Sequence, residues 1–143
     1  ARTWVSAIKM FRGFCAPRDP YWLLISSGYR TYRFLPVFWR SFYPHHDASP
    51  SSQTEGLMRR LARERFKDAF DPERGVVRFS APKVLRGELV EIPDGKSADP
   101  HVAFFASRNP GYVLGDELVC LTKLSPENLT AAGRRVWNST EEP

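Results

Sequence analysis

The stretch Tyr21–Pro44, YWLLISSGYRTYRFLPVFWRSFYP, decides how this chain is read. Its first six residues are continuously apolar and aromatic, the pattern of a strand covered on both faces. Ser26-Ser27-Gly28 then interrupts the run. Beyond it, Leu35, Phe38, Trp39 and Phe42 fall at helical spacing, and Pro36 is tolerated only in a first turn. The helix therefore begins near Leu35 or bends there. Strand, small-residue turn and arginine-bearing helix is the expected order.

A turn of this kind can aim several main-chain N–H groups into one concavity, and a helix start adds partial positive charge. The hydroxyls of Ser26, Ser27 and Thr31 can donate to phosphate oxygens. Arg30 and Arg33 can grip them, and Gly28 permits close backbone approach. These six residues are the expected ligand site, with an anionic, phosphorylated small molecule as its guest. Arg30, Arg33 and Arg40 are spaced to share one helical face. Neither a Walker lysine nor G-x-G-x-x-G accompanies the turn. Its order is similar to the way acetyl-CoA-dependent N-acetyltransferases seat a pyrophosphate on a helix N-terminus. That resemblance covers residues 21–43 alone, lacks the family's Gln/Arg-x-x-Gly-x-Gly/Ala pattern and transfers no functional residue. It implies a part in an acyl-CoA- or nucleotide-using transferase.

Working outward, Trp4, Ile8, Phe11 and Cys15 mark an amphipathic helix over 3–15. Residues 43–53 are polar and rich in Pro and Ser. Ser52 and Glu55 then read as a capping box opening a helix with Leu57, Met58, Leu61, Ala62 and Phe66 inside. Val76–Phe79 reads as a strand, and Leu85–Ile92 as a partner strand bulged at Gly87. Asp99-Pro100 starts a helix with Asp as cap and Pro at the first position. Glu117–Leu124 alternates, with Leu118 and Cys120 on one face and Val119 and Leu121 on the other. Ser125 caps a last helix. The sum is one α+β domain over 1–143, with four or five helices and a small mixed or antiparallel sheet.

Charge is uneven. Residues 1–67 carry twelve bases against four acids, a net +8, whereas residues 68–143 carry nine against twelve, a net −3. The basic half suits an anionic partner. Arg59, Arg60, Arg63 and Lys67, on the outward face of the helix that Ser52 opens, are the candidate grip for nucleic acid or an acidic protein, the alternative to a small ligand. A solvated helix face explains the same run. The start at Ala1 and the abundance of aromatics also fit a piece of a longer protein or a homo-oligomer.

His45-His46-Asp47 invites a metal reading, but three consecutive residues rarely reach one ion with good geometry. His101 could serve as a distant third ligand or a general base, but a lone histidine in a first helical turn is more often a surface or packing residue, and no metal site is expected. No cofactor or catalytic residue is indicated. Cys120 sits among apolar neighbours and reads as a buried structural thiol. Two cysteines far apart make no secreted framework. With no secretory signal and no apolar run long enough to span a bilayer, a cytoplasmic setting is the expectation.

Overall fold

A computed structural model describes residues 2–140. Its centre is a strand, β5, Glu117–Lys123. On one side β5 pairs antiparallel with β1, Tyr21–Ser26. On the other it takes two short strands, β2 (Phe42–Tyr43) and β4 (Val76–Val77), and β4 in turn pairs with β3 (Phe70–Asp71). All pairings are antiparallel, in the order β1-β5-β4-β3 with β2 beside β5. The α+β expectation holds, and the sheet is of the antiparallel kind.

Helices cover both faces. Alternation along β5 sends Leu118 and Cys120 to one face and Val119 and Leu121 to the other, as the sequence pattern requires. On the first face lie Ile8 of α1 (Arg2–Cys15), Tyr29 and Tyr32 of α2 (Tyr29–Tyr32) and Leu35 of α3 (Phe34–Phe38). On the second, Met58 and Ala62 of α4 (Ser52–Phe66) pack with Tyr43, Phe70 and Val77. After α4 come two short turns, α5 (Gly87–Val90) and α6 (Asp94–Ser97), then α7 (Pro100–Arg108) and α8 (Ala131–Asn138). Val102 and Phe105 of α7 are fully buried in the first core, which Trp137 of α8 also flanks.

Pro36 settles the helix after the glycine turn. It has no N–H for the carbonyl of Tyr32, and its ring would strike that carbonyl, so one continuous helix is impossible. The chain makes α2, breaks at Arg33 and restarts as α3 with Pro36 in the first turn.

Four expectations need correction. The cap of α4 is Ser51, whose Oγ accepts from Thr54 N at 3.1 Å; Glu55 is left to pair with Arg59 at 2.8 Å. Leu85–Ile92 is no strand, because both edges of β4 are already taken by β5 and β3; it forms the α5 turn. Phe42–Tyr43 leaves the helical pattern to become β2. The last helix is capped by Thr130, whose Oγ1 accepts from Gly133 N at 3.1 Å, and Ser125 instead precedes a single 3-10 turn over Pro126–Asn128. By contrast, Asp99 caps α7 as expected, accepting from His101 N at 2.9 Å.

Candidate functional site

The glycine turn uses much of its own polarity internally. Ser26 is fully buried, and its Oγ donates to Gly28 O at 2.8 Å. Leu85 Cδ1 would stand 3.0 Å from a Cβ at Gly28, so an apolar side chain roofs the spot where backbone would have to meet a ligand. Arg33 Nε lies 3.1 Å from Asp99 Oδ2. Ser27 is half-buried, while Arg30 and Thr31 are exposed. The helix that follows has four residues, too few for a developed terminal charge. Arg40 is elsewhere, on an open groove of about 580 Å³ that Lys123 and Asn128 also line. The three arginines do not converge.

On α4, Arg59 is held by Glu55, and Arg60 and Arg63 stand exposed, as does Lys67 just past the end of the helix. Arg60 and Arg63 lie away from the buried Met58 and Ala62, which is what amphipathic burial alone produces. Cys120 is fully buried, and burial pushes its thiol well above the ordinary range, which suits a packing role. Cys15 and Cys120 are both free thiols.

The histidines are the residues that the fold brings together. His45 and His46 follow β2, His101 lies in the first turn of α7, and one ligand atom from each falls within 4.8 Å of the other two. Ring centroids are 4.7 Å apart for His45 and His46, 4.6 Å for His46 and His101, and 5.3 Å for His45 and His101. Asp47 takes no part in the group; its N–H donates to His45 Nδ1 at 3.0 Å.

Tyr32 is the reason that two segments so far apart in sequence meet. Its ring packs on Phe105 of α7 and on Phe42 of β2, with centroids 5.7 and 6.1 Å away. Its hydroxyl donates to Pro44 O at 2.8 Å, one residue before His45. One buried side chain thus ties the loop after β2 to the first turns of α7. Asp99 fixes the other half: one oxygen caps the helix at His101 N, and the second meets Arg33.

Burial is the first cause that holds His45 and His101 below the ordinary histidine range. For His101 the neighbouring His46 and His45 add to it and Asp99 opposes; for His45, His46 adds and Asp47 opposes. His101 Nδ1 is buried and has no hydrogen-bond partner among the described residues. An orphaned polar atom of this kind carries a cost that a ligand can remove.

The depressed values have a stability consequence. An unfolded histidine titrates near 6.5. As pH falls below that point the unfolded chain takes up protons that the folded chain refuses, so stability declines until the folded-state pKa is reached. Above about pH 7 the contribution is fully present. Calorimetry from pH 7.5 to 5.5 should show the Tm of the metal-free protein falling, and His101→Gln should flatten the fall. A Tm level across that window would contradict the argument.

Comparison with family models, curated proteins and solved structures gives no match, so the fold and the histidine group are interpreted from their own geometry.

Proposed function

We propose that this chain binds a divalent transition metal, zinc in the first instance, through His45, His46 and His101. The observation that carries the reading is a group of three imidazoles that brings one ring nitrogen of each within 4.8 Å of the others, with the buried Nδ1 of His101 lacking a hydrogen-bond partner among the described residues. Neutral imidazole is a borderline-soft donor suited to zinc, copper and nickel. The low histidine pKa values keep the lone pairs available at neutral pH.

Loading requires a small contraction. Zinc–nitrogen bonds of about 2.0–2.1 Å in a tetrahedron place donor atoms roughly 3.4 Å apart. The present triangle is wider, and His46 on its exposed side has room to swing in. His45 also has to surrender the Asp47 N–H, which is exposed and passes to water at little cost. Three imidazoles leave a fourth position for water or a ligand donor. His45 also lines the groove shared by Arg40 and Lys123, so an anion in that groove lies next to the site.

Equilibrium dialysis with zinc should give one ion per chain. Cobalt should show the visible absorption of a tetrahedral or five-coordinate nitrogen site. His101→Ala should lower affinity by more than about 100-fold. Cys15→Ser should leave binding unchanged, since Cys15 is not in the group. Loss of stoichiometric binding at 100 µM zinc, or binding indifferent to all three histidine variants, would overturn the reading.

A further inference from the structure

β1 lies at the end of the sheet, with one edge that no strand pairs among the described residues. Which of its backbone groups face outward follows from the register. Leu124 N donates to Pro20 O at 2.9 Å, so that pair is hydrogen-bonded, and alternation makes Trp22↔Thr122, Leu24↔Cys120 and Ser26↔Leu118 hydrogen-bonded too. The opposite phase on β5 agrees, since Val119 N turns away from β1 to Gly75 O at 3.0 Å. The N–H and C=O of Tyr21, Leu23 and Ile25 therefore point away from β5. None of these six groups has a hydrogen-bond partner among the described residues.

Edges of this kind are normally blunted by lysine, proline or a bulge. Tyr21–Ser26 has none of these and no charged residue. Its side chains serve two cores, Trp22 and Leu24 on the α1 face and Leu23 and Ile25 on the α4 face. Yet Trp22, Leu23 and Ile25 remain only half-buried.

We propose that β1 is a dimerisation edge, on which two copies of this chain pair their β1 strands antiparallel about a two-fold axis at Leu23. The register is dictated by two conditions. A two-fold axis normal to the sheet keeps each face on its own side, so paired residues must share parity. All outward groups are used only when Tyr21 opposes Ile25 of the second copy and Leu23 opposes its own counterpart. That register makes six main-chain hydrogen bonds, one from the N–H and one to the C=O of Tyr21, Leu23 and Ile25 in each copy, shared between them. Centring on Leu24 forfeits the bonds of Tyr21. The chosen register sets Trp22 against Leu24 on the α1 face, and Tyr21 against Ile25 on the other, all of them apolar or aromatic.

A six-residue ladder alone is small beside a stable interface. α1 covers the same strand through the Trp4–Trp22 contact, at 4.8 Å between ring centroids. Lys9 and Arg12 of α1 stack on Trp137 of α8, and the same helix leaves Phe11 51% and Phe14 80% exposed. Those two rings are the further apolar area on the helix that covers β1.

Sedimentation equilibrium from 1 to 200 µM should give twice the 16.4 kDa chain mass. Hydrogen exchange resolved by residue should protect the amides of Leu23 and Ile25 at high concentration and release them on dilution. Tyr21→Lys, at a position already 43% exposed, should raise the dimer Kd at least tenfold while leaving the monomer folded. A chain that stays monomeric at 200 µM would overturn the proposal. So would a dimer whose Leu23 and Ile25 amides exchange as fast as those of exposed loops, because its interface would lie elsewhere. Sedimentation and exchange on the unaltered chain decide the matter even where a variant fails to fold.

Discussion

Tyr32→Ala is expected to cost about 4 kcal/mol of stability and to abolish zinc binding in whatever fraction remains folded. The side chain is fully buried, and its loss leaves a ring-sized void between Phe42, Phe104 and Phe105. It also cuts the hydrogen bond to Pro44 O, the tether that sets His45 and His46 beside α7. Tyr32→Phe separates the two effects. It keeps the ring and removes only the hydroxyl, leaving the buried Pro44 carbonyl unpaired at a cost of about 1–2 kcal/mol. Packing is then nearly intact, and the loop is loosened, so zinc affinity should fall by about tenfold rather than vanish. Denaturant unfolding gives the first quantity and zinc titration the second. If Tyr32→Ala binds zinc as tightly as the native chain, the histidine group does not depend on this tether and the account of how the two segments meet is wrong.

The two longest strands were legible because each is long enough to show its pattern. β5 alternates over seven residues, and that alternation alone sorts Leu118 and Cys120 from Val119 and Leu121. β1 reads as a strand covered on both faces, as it is, but nothing in a single sequence says that one of its edges has no paired strand among the described residues. β2 and β3 are two residues each and carry no period to read. They exist because β4 and β5 offer them a ladder. For the same reason Leu85–Ile92 fails as a strand: its composition permits pairing, and no edge of β4 is left. At α4, the consecutive Ser51 and Ser52 are equally good caps on paper, and the choice falls to whichever oxygen reaches the third amide.

The site was less legible than the fold. A run of small residues before arginines states which donors are near one another in sequence, and it is silent on what else consumes them. Ser26 is taken by Gly28 O and Arg33 by Asp99, partners two and sixty-six residues away. The histidines show the converse. Spacing weighs against three adjacent residues sharing an ion, and that argument properly excludes Asp47. It says nothing of His101, which arrives only because Tyr32 packs on Phe42 and Phe105 together. The Asp99-Pro100 cap signal did fix where His101 stands on its own helix. The missing information was which loop that helix start would face.

Gly133→Ala and Gly56→Ala should move stability in opposite directions, although each replaces a helical glycine. Gly133 sits where α8 crosses the chain at Phe38: a Cβ there would meet Phe38 O at 2.5 Å and Leu129 Cδ2 at 3.0 Å. The first is a backbone atom and cannot rotate away. It belongs to a strip in which Thr130 N donates to Phe38 O at 3.0 Å, Arg40 N donates to Asn128 O at 2.8 Å and Trp39 bridges to Leu129. Relief therefore requires α8 to shift as a unit and strain that whole strip. The expected loss is about 3 kcal/mol, at the upper end for overpacking, or a Tm lower by on the order of 10 °C. Gly56 lies inside α4 with nothing within 4 Å of a Cβ, so alanine there gains helix propensity without a collision, about 0.5–1 kcal/mol. Thermal unfolding of the two variants side by side tests the packing directly. Equal effects of either sign would mean that α8 does not lie against Phe38 as closely as described.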